Sequence, residues 1–261
     1  LRPVISSDQK EVLLPLMQAL NSHRFSPFLL HGITGSGKTE VYLNLIENAV
    51  QQEKTALVLM PEIGLTPRIA QIFRARLGEI VAILHSGLSL GERYDEWWRI
   101  KRGAASVVIG TRSAVFAPLE NLGLIVVDEE HDPSYKQQDS PRYHGRDTAL
   151  VLGKKNQAVV VLGSATPSIE SFHHSQTGKY GYLSLPTRIH SRPLPKVHLV
   201  DMREDFKATE KRSPLSQSLR LAIDHRLKRK EQVLIFLNRR GYSAYVLCRS
   251  CGQSIQCKYC S

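Results

Sequence analysis

Cysteine is scarce: the chain has four in 261 residues, none before Cys248. A disulfide framework is therefore excluded for most of the chain. The crowding of all four into the last 14 residues points instead to metal ligation in a reducing compartment. Apolar runs are short. None approaches the ~18 residues of a membrane span, and the opening Leu1-Arg2-Pro3-Val4 lacks the layout of a signal peptide. The expectation is a cytoplasmic protein with no membrane partner. The first residue is not Met, which predicts an excerpt of a longer protein. There are no internal repeats and no long low-complexity tract. Acidic residues are in deficit, 24 against 35 basic, for a net charge of +11 and a pI of about 9.6. That balance suits a polyanionic partner. Apolar content of 42% is ample for a core, and the length allows one large domain or two modest ones.

One stretch organises the rest. Phe28 to Leu30 read as a buried strand. Gly32, Ile33, Thr34, Gly35, Ser36, Gly37, Lys38 and Thr39 fit G-x-x-x-x-G-K-[ST] completely, and an amphipathic helix follows. The glycines let backbone N–H groups close around phosphate oxygens, and the new helix aims its positive end at the same anion. Lys38 suits the β- and γ-phosphates and the Thr39 hydroxyl suits Mg²⁺, so ATP and Mg²⁺ are the expected ligands. Upstream, residues 8–21 read as a helix with Asp8 as N-cap. Gln9 at its start has the place of a purine-reading glutamine, although a surface glutamine satisfies the same spacing.

Further buried strands are expected at 55–60, 81–84, 106–110, 124–127 and 159–163, alternating with helices from Arg68 and over 92–102. Short, continuously apolar strands in alternation with helices predict a doubly wound α/β domain on a parallel sheet over residues 1–185. Its ligands belong beyond the strand C-termini. Of the adjacent Trp97 and Trp98, one is expected to pack inward. Proline and charge mark 186–214 as a linker holding a short strand at 197–200. A helix over 215–229 and a strand over 232–237 then open a second lobe over 215–247.

The 124–127 strand runs into Asp128-Glu129-Glu130-His131. An acid at a strand tip holds Mg²⁺, and its neighbour Glu129 can deprotonate an attacking water. Ser164-Ala165-Thr166-Pro167 follows a later strand and reads as a helix N-cap ahead of Ile169. Thr66 and Arg68, with Thr111, Arg112 and Ser113, lie on loops at strand C-termini and suit the phosphates of a single strand. Tyr135, Lys136, Arg142 and Tyr143 interleave rings with cations, a pattern for base stacking or for a packed loop. Cys248-x-x-Cys251 and Cys257-x-x-Cys260 are knuckles with Zn²⁺-ligand spacing. They form one tight Cys₄ site, with only five residues to turn back between the pairs, or stand as four free thiols.

D-E-x-H after an apolar strand, with Gly163-Ser164-Ala165-Thr166 ending a later one, resembles superfamily 2 helicases. The 32–42 stretch, Pro61-Glu62-Ile63-Gly64-Leu65-Thr66-Pro67, Gly110 to Pro118, Ser134 to Asp139 and Phe236 to Tyr242 resemble the primosomal replication-restart branch, across essentially the whole chain. The resemblance implies a RecA-like motor lobe and ATP-driven 3′→5′ movement on single-stranded and forked DNA. It also implies partnership with replication-restart and primosome proteins and with single-strand-binding protein. In that family His131 touches the segment Ser164, Ala165 and Thr166, which couples hydrolysis to strand movement. The cysteines, as part of a zinc-binding insertion over 248–261, supply half of each of two nested zinc sites. Where the family's aromatic-rich loop carries tryptophan, this chain has Pro141. Two other readings fit the residues: a zinc-bearing nucleic-acid adaptor with a nucleotide switch, and a double-strand translocase.

Overall fold

The computed structural model describes residues 4–61, 64–189, 195–203 and 215–236. The chain divides into two compact units, Leu1–Pro193 and Leu194–Ser261. In the first, the helices are α1 (Ser7–Ser22), α2 (Lys38–Gln51), α3 (Pro67–Leu77), α4 (Leu90–Lys101), α5 (Gly145–Asn156) and α6 (Ile169–Gln176). They alternate with seven strands: β1 (Ser26–Gly32), β2 (Thr55–Leu59), β3 (Val81–Leu84), β4 (Val107–Gly110), β5 (Leu122–Asp128), β6 (Val159–Ser164) and β7 (Gly181–Leu185). Every pairing is parallel, in the order β3-β4-β2-β5-β6-β1-β7.

The all-apolar strands explain the two-faced sheet. Successive side chains point to opposite faces, so both faces of a strand such as Leu124-Ile125-Val126-Val127 must be covered. Leu30, Val58, Val126 and Val161 pack on one face with α1, α2 and Phe73 of α3. Leu29, Leu57, Ile125 and Val160 pack on the other with Ile100 of α4 and Ala149 of α5.

The structure departs from the sequence reading at several points. Helix α1 is capped by Ser6, not Asp8: the Ser6 hydroxyl accepts from Gln9 N while the Gln9 side chain accepts from Ser6 N, a reciprocal capping box. Helix α6 is capped by Ser168, which accepts from Ser171 N, so Ser164 is free for other work. Neither tryptophan is buried. Trp97 is exposed, and Trp98 lies half-buried under the Arg102 guanidinium at 4.9 Å, while Ile100 turns inward. Strand β7 was not anticipated, because an edge strand with alternating exposure lacks the continuous apolar run that marks central strands.

The segment expected to begin a linker at residue 186 instead continues along the first unit. Thr187 donates to the Asp8 carboxylate, and Ile189 N donates to Gly35 O at 3.0 Å. In the second unit α7 (Gln217–Lys228) is present, capped by Ser216. The strands expected at 197–200 and 232–237 are not formed: residues 195–201 and 231–236 carry no regular structure. Val197, Leu199, Leu234 and Phe236 are exposed. Apolar sequence alone makes no strand without a ladder partner. The four cysteines, Leu237, and Glu62 and Ile63 lie outside the described residues.

Candidate nucleotide site and nucleic-acid face

Strand order positions the chemistry. The tip of β6 lies between those of β1 and β5, with His31 opposite Ser164 and Asp128 opposite Gly163. The phosphate-loop strand and the acidic strand are therefore about 9–10 Å apart at two strand spacings, and their loops share one crevice.

In the phosphate loop, Gly35 and Gly37 hold φ of +82° and +84°, a left-handed backbone that side chains resist. Gly37 caps α2 without any side-chain bond, which leaves the helix-end amides for an anion. Lys38 is nearly buried. Its ammonium donates to Gly32 O at 3.0 Å and lies 3.5 Å from Glu129 Oε1. The Ser36 hydroxyl is buried without a partner. An unsatisfied hydroxyl, uncapped amides and a buried cation around a glycine turn are the donor set of a phosphate site, so these residues fit a nucleotide. Gln9 is buried and braces this loop: Oε1 is taken by Ser6 N, and Nε2 donates to Gly37 O at 3.2 Å. Its amide thus supports the turn and does not stand open toward a purine.

Asp128 ends β5. Its Oδ1 accepts the Tyr42 hydroxyl at 2.9 Å, and its carbonyl accepts the Tyr135 hydroxyl at 2.7 Å. Burial above all, and then the adjacent Glu129 charge, push the Asp128 carboxyl above the usual range. Glu129 turns the chain out of the sheet at φ +45°, a conformation an L-residue adopts at a cost of about 1–2 kcal/mol and one common at functional positions. His131 Nδ1 shares a 2.7 Å hydrogen bond with the Ser164 hydroxyl, and Nε2 lies 3.4 Å from Thr166 Oγ1. Ser164 Oγ also accepts Thr166 N at 2.9 Å. Ala165 sits half-buried between them. The third acid, Glu130, is enclosed. Its carboxylate accepts Ser168 N, the Ser168 and Ser171 hydroxyls and Arg146 Nη1, all within 3.0 Å.

The expected nucleic-acid residues separate into groups. Thr66 caps α3 through Ile69 N and is exposed, as is Arg68. Thr111, Arg112 and Ser113 line one polar pocket together with Ser86 and Ser134, two hydroxyls that the sequence reading missed because lone serines carry no spacing signal. Arg112 is committed to the loop after β5. Its Nη1 donates to Ser134 O at 2.8 Å and Lys136 O at 2.9 Å, and it lies 6.0 Å from the Tyr143 ring centroid. Tyr143 also meets the exposed Phe116 edge-on at 5.0 Å. Lys136 and Arg142 are exposed. Tyr135 is a correction: its ring is fully buried and its hydroxyl bonded to Asp128, so no face remains for a base.

The model of the DEAD/DEAH box helicase family matches residues 6–174. The chain belongs to that family. Membership implies use of ATP and Mg²⁺. Among curated relatives, "Replication restart protein PriA" of Bacillus subtilis (strain 168) is 47% identical over 98% of this chain and 32% of its own. The protein of the same name from Synechocystis sp. is 46% identical over 99% and 32%. That from Haemophilus influenzae is 42% identical over 99% and 36%. The chain thus spans about a third of the length of these relatives. Two solved structures share the fold. RecG bound to a three-way DNA junction has a TM-score of 0.53 at 21% identity, covering 74% of this chain and 25% of its own. A hypothetical ATP-dependent RNA helicase from Sulfolobus tokodaii has 0.51 at 16%, covering 70% and 53%. No described helix is long and apolar enough to cross a membrane.

Proposed function

We propose that the first unit is the nucleotide-binding lobe of an ATP-driven 3′→5′ DNA helicase of replication restart, and that residues 215–247 begin its second lobe. The observation that carries this reading is the convergence of Lys38 and Glu129, 3.5 Å apart, beside Asp128 at one crevice. Lys38 compensates phosphate charge. Thr39 and Asp128 are the residues that would hold Mg²⁺, which screens the phosphates when bound. Glu129 takes the proton of the attacking water. The His131–Ser164 bond relays the state of the acidic loop to the tip of β6.

Single-stranded and forked DNA is the proposed polymer. The basic balance of the chain, the hydroxyl-lined pocket around Thr111 and Ser113, and the exposed Arg68, Lys136 and Arg142 support it. The Phe116–Tyr143 pair offers rings for stacking. Zn²⁺ on Cys248, Cys251, Cys257 and Cys260 is proposed from ligand spacing alone. Primosome proteins, single-strand-binding protein and a cytoplasmic site follow from similarity to the replication restart proteins and belong to the same proposal.

The test is ATP turnover by the intact protein with and without single-stranded DNA. Strong stimulation by single strands, lost in Lys38→Ala with DNA affinity nearly intact, is the expected result. Stimulation by blunt duplex instead would indicate a double-strand translocase. Absence of turnover with nucleotide and DNA binding retained would leave an adaptor.

A further inference from the structure

Tyr42 lies three residues beyond Thr39 on α2, so the two hydroxyls share one helix face. Its side chain is fully buried, in a position where phenylalanine would fill the same volume. Yet it carries a hydroxyl, and that hydroxyl donates to Asp128 Oδ1 at 2.9 Å. The tip of β6 makes room for it. A methyl group at Gly163 would fall on the Tyr42 phenol oxygen, so the side chain fits only because position 163 lacks one. Gly163 is also the residue opposite Asp128 in the ladder, and its carbonyl accepts Glu130 N at 3.0 Å. Three segments thus meet at one oxygen: the helix of the phosphate loop, the acidic strand and the strand leading to Ser164.

We propose that Tyr42 is the positioning residue for the magnesium carboxylate: its hydroxyl fixes the orientation of Asp128 relative to Thr39, and Gly163 is the space that permits it. This rests on the reading of the site as one for ATP and Mg²⁺. A carboxylate free to rotate at a strand tip loses rotamer freedom when a cation binds; a hydrogen bond from a rigid, buried ring removes that freedom beforehand. Partners of this kind around metal ligands typically contribute 10–100-fold in metal affinity.

The experiment titrates Mg²⁺ against a fluorescent ADP analogue bound to the intact protein, wild type and Tyr42→Phe, with parallel titrations in EDTA. Tyr42→Phe is expected to raise the Mg²⁺ concentration at half-saturation by about tenfold while leaving metal-free nucleotide affinity unchanged. Gly163→Ala, which displaces the phenol, should shift the Mg²⁺ requirement in the same direction. An unchanged Mg²⁺ requirement in Tyr42→Phe overturns the proposal. So does an equal loss of affinity with and without the metal, since that marks a packing role. If wild-type protein binds nucleotide with no dependence on Mg²⁺, the reading of the site itself fails, and that outcome is distinct from both.

Discussion

Asp128 lies where the protein interior resists a charge. Because its folded pKa is raised, mainly by burial, the folded state binds the proton more tightly than the unfolded chain does. The charged carboxylate therefore costs stability above the folded pKa, and the cost fades as pH falls through that value toward the ordinary one of about 3.9. Asp128→Asn keeps the shape and an acceptor for Tyr42. It should raise the melting temperature of the intact protein at neutral pH by a few degrees, lose that advantage in acid, and abolish ATP turnover. Thermal melts at pH 4 and pH 7.5 decide it; a lower melting temperature at neutral pH would count against a strained charge. The residue scale is also where the sequence was most legible. Lys38 and Asp128 announce themselves by motif, because phosphate and Mg²⁺ demand fixed residue types at fixed spacing. Tyr42 and Glu130 do not, because a buried hydroxyl or carboxylate is recognised only by what it meets in space. Tyr135 misled for a related reason: its aromatic ring suited a base and equally suited the core.

Elements show how the site is stiffened. Glu130 ties the loop after β5 to α5 through Arg146 and to the start of α6 through Ser168 and Ser171. Its side chain has no exposure, so removing the carboxylate strips the Ser168 and Ser171 hydroxyls and Ser168 N of an acceptor, while Arg146 keeps Asp147 through Nε at 2.9 Å. Glu130→Ala should cost about 1–3 kcal/mol through the buried donors it leaves unpaired, read from urea denaturation; a loss below 1 kcal/mol would show that water takes over these bonds. At α1 the reciprocal Ser6–Gln9 cap does two jobs, since Gln9 also carries the phosphate loop. Ser6→Ala should cost about 1 kcal/mol and weaken nucleotide binding measurably, whereas Asp8→Ala, outside the cap, should leave the helix start intact. Central elements were readable because burial on both faces writes itself as an apolar run. The edge strand β7 and the expected strands near 197–200 and 232–237 were misjudged because pairing partners, not composition, decide such segments.

At the scale of the whole molecule, the net charge of +11 is useful only where it is free. Arg112 is held by backbone carbonyls, and Arg76 by Glu40 and Glu47. Arg68, Lys136 and Arg142 are exposed cations on the proposed DNA face, Arg142 committing only its Nε, to Gln138 O at 3.1 Å. Binding of single strands should weaken with salt, and neutralising these three together should flatten the slope of log affinity against log salt by about 2. An unchanged slope would move the DNA path elsewhere. The parallel architecture was legible from strand spacing, whereas the end of the first unit was not, because backbone bonds and the Thr187–Asp8 contact, which join the last segment, carry no spacing signal.

Those bonds have a consequence for biosynthesis. Ile33 N donates to Leu185 O, and Gly35 O accepts Ile189 N, so two rungs of the nucleotide cradle come from chain translated long after it. A nascent polypeptide that has just cleared Ser164 already carries Lys38, Thr39, Asp128 and Glu129, but its cradle still lacks one wall. Polypeptides stopped at residue 180 and at residue 193 should therefore differ sharply in retention of labelled ADP. The shorter one, although it carries Lys38, Asp128 and His131, should release nucleotide faster.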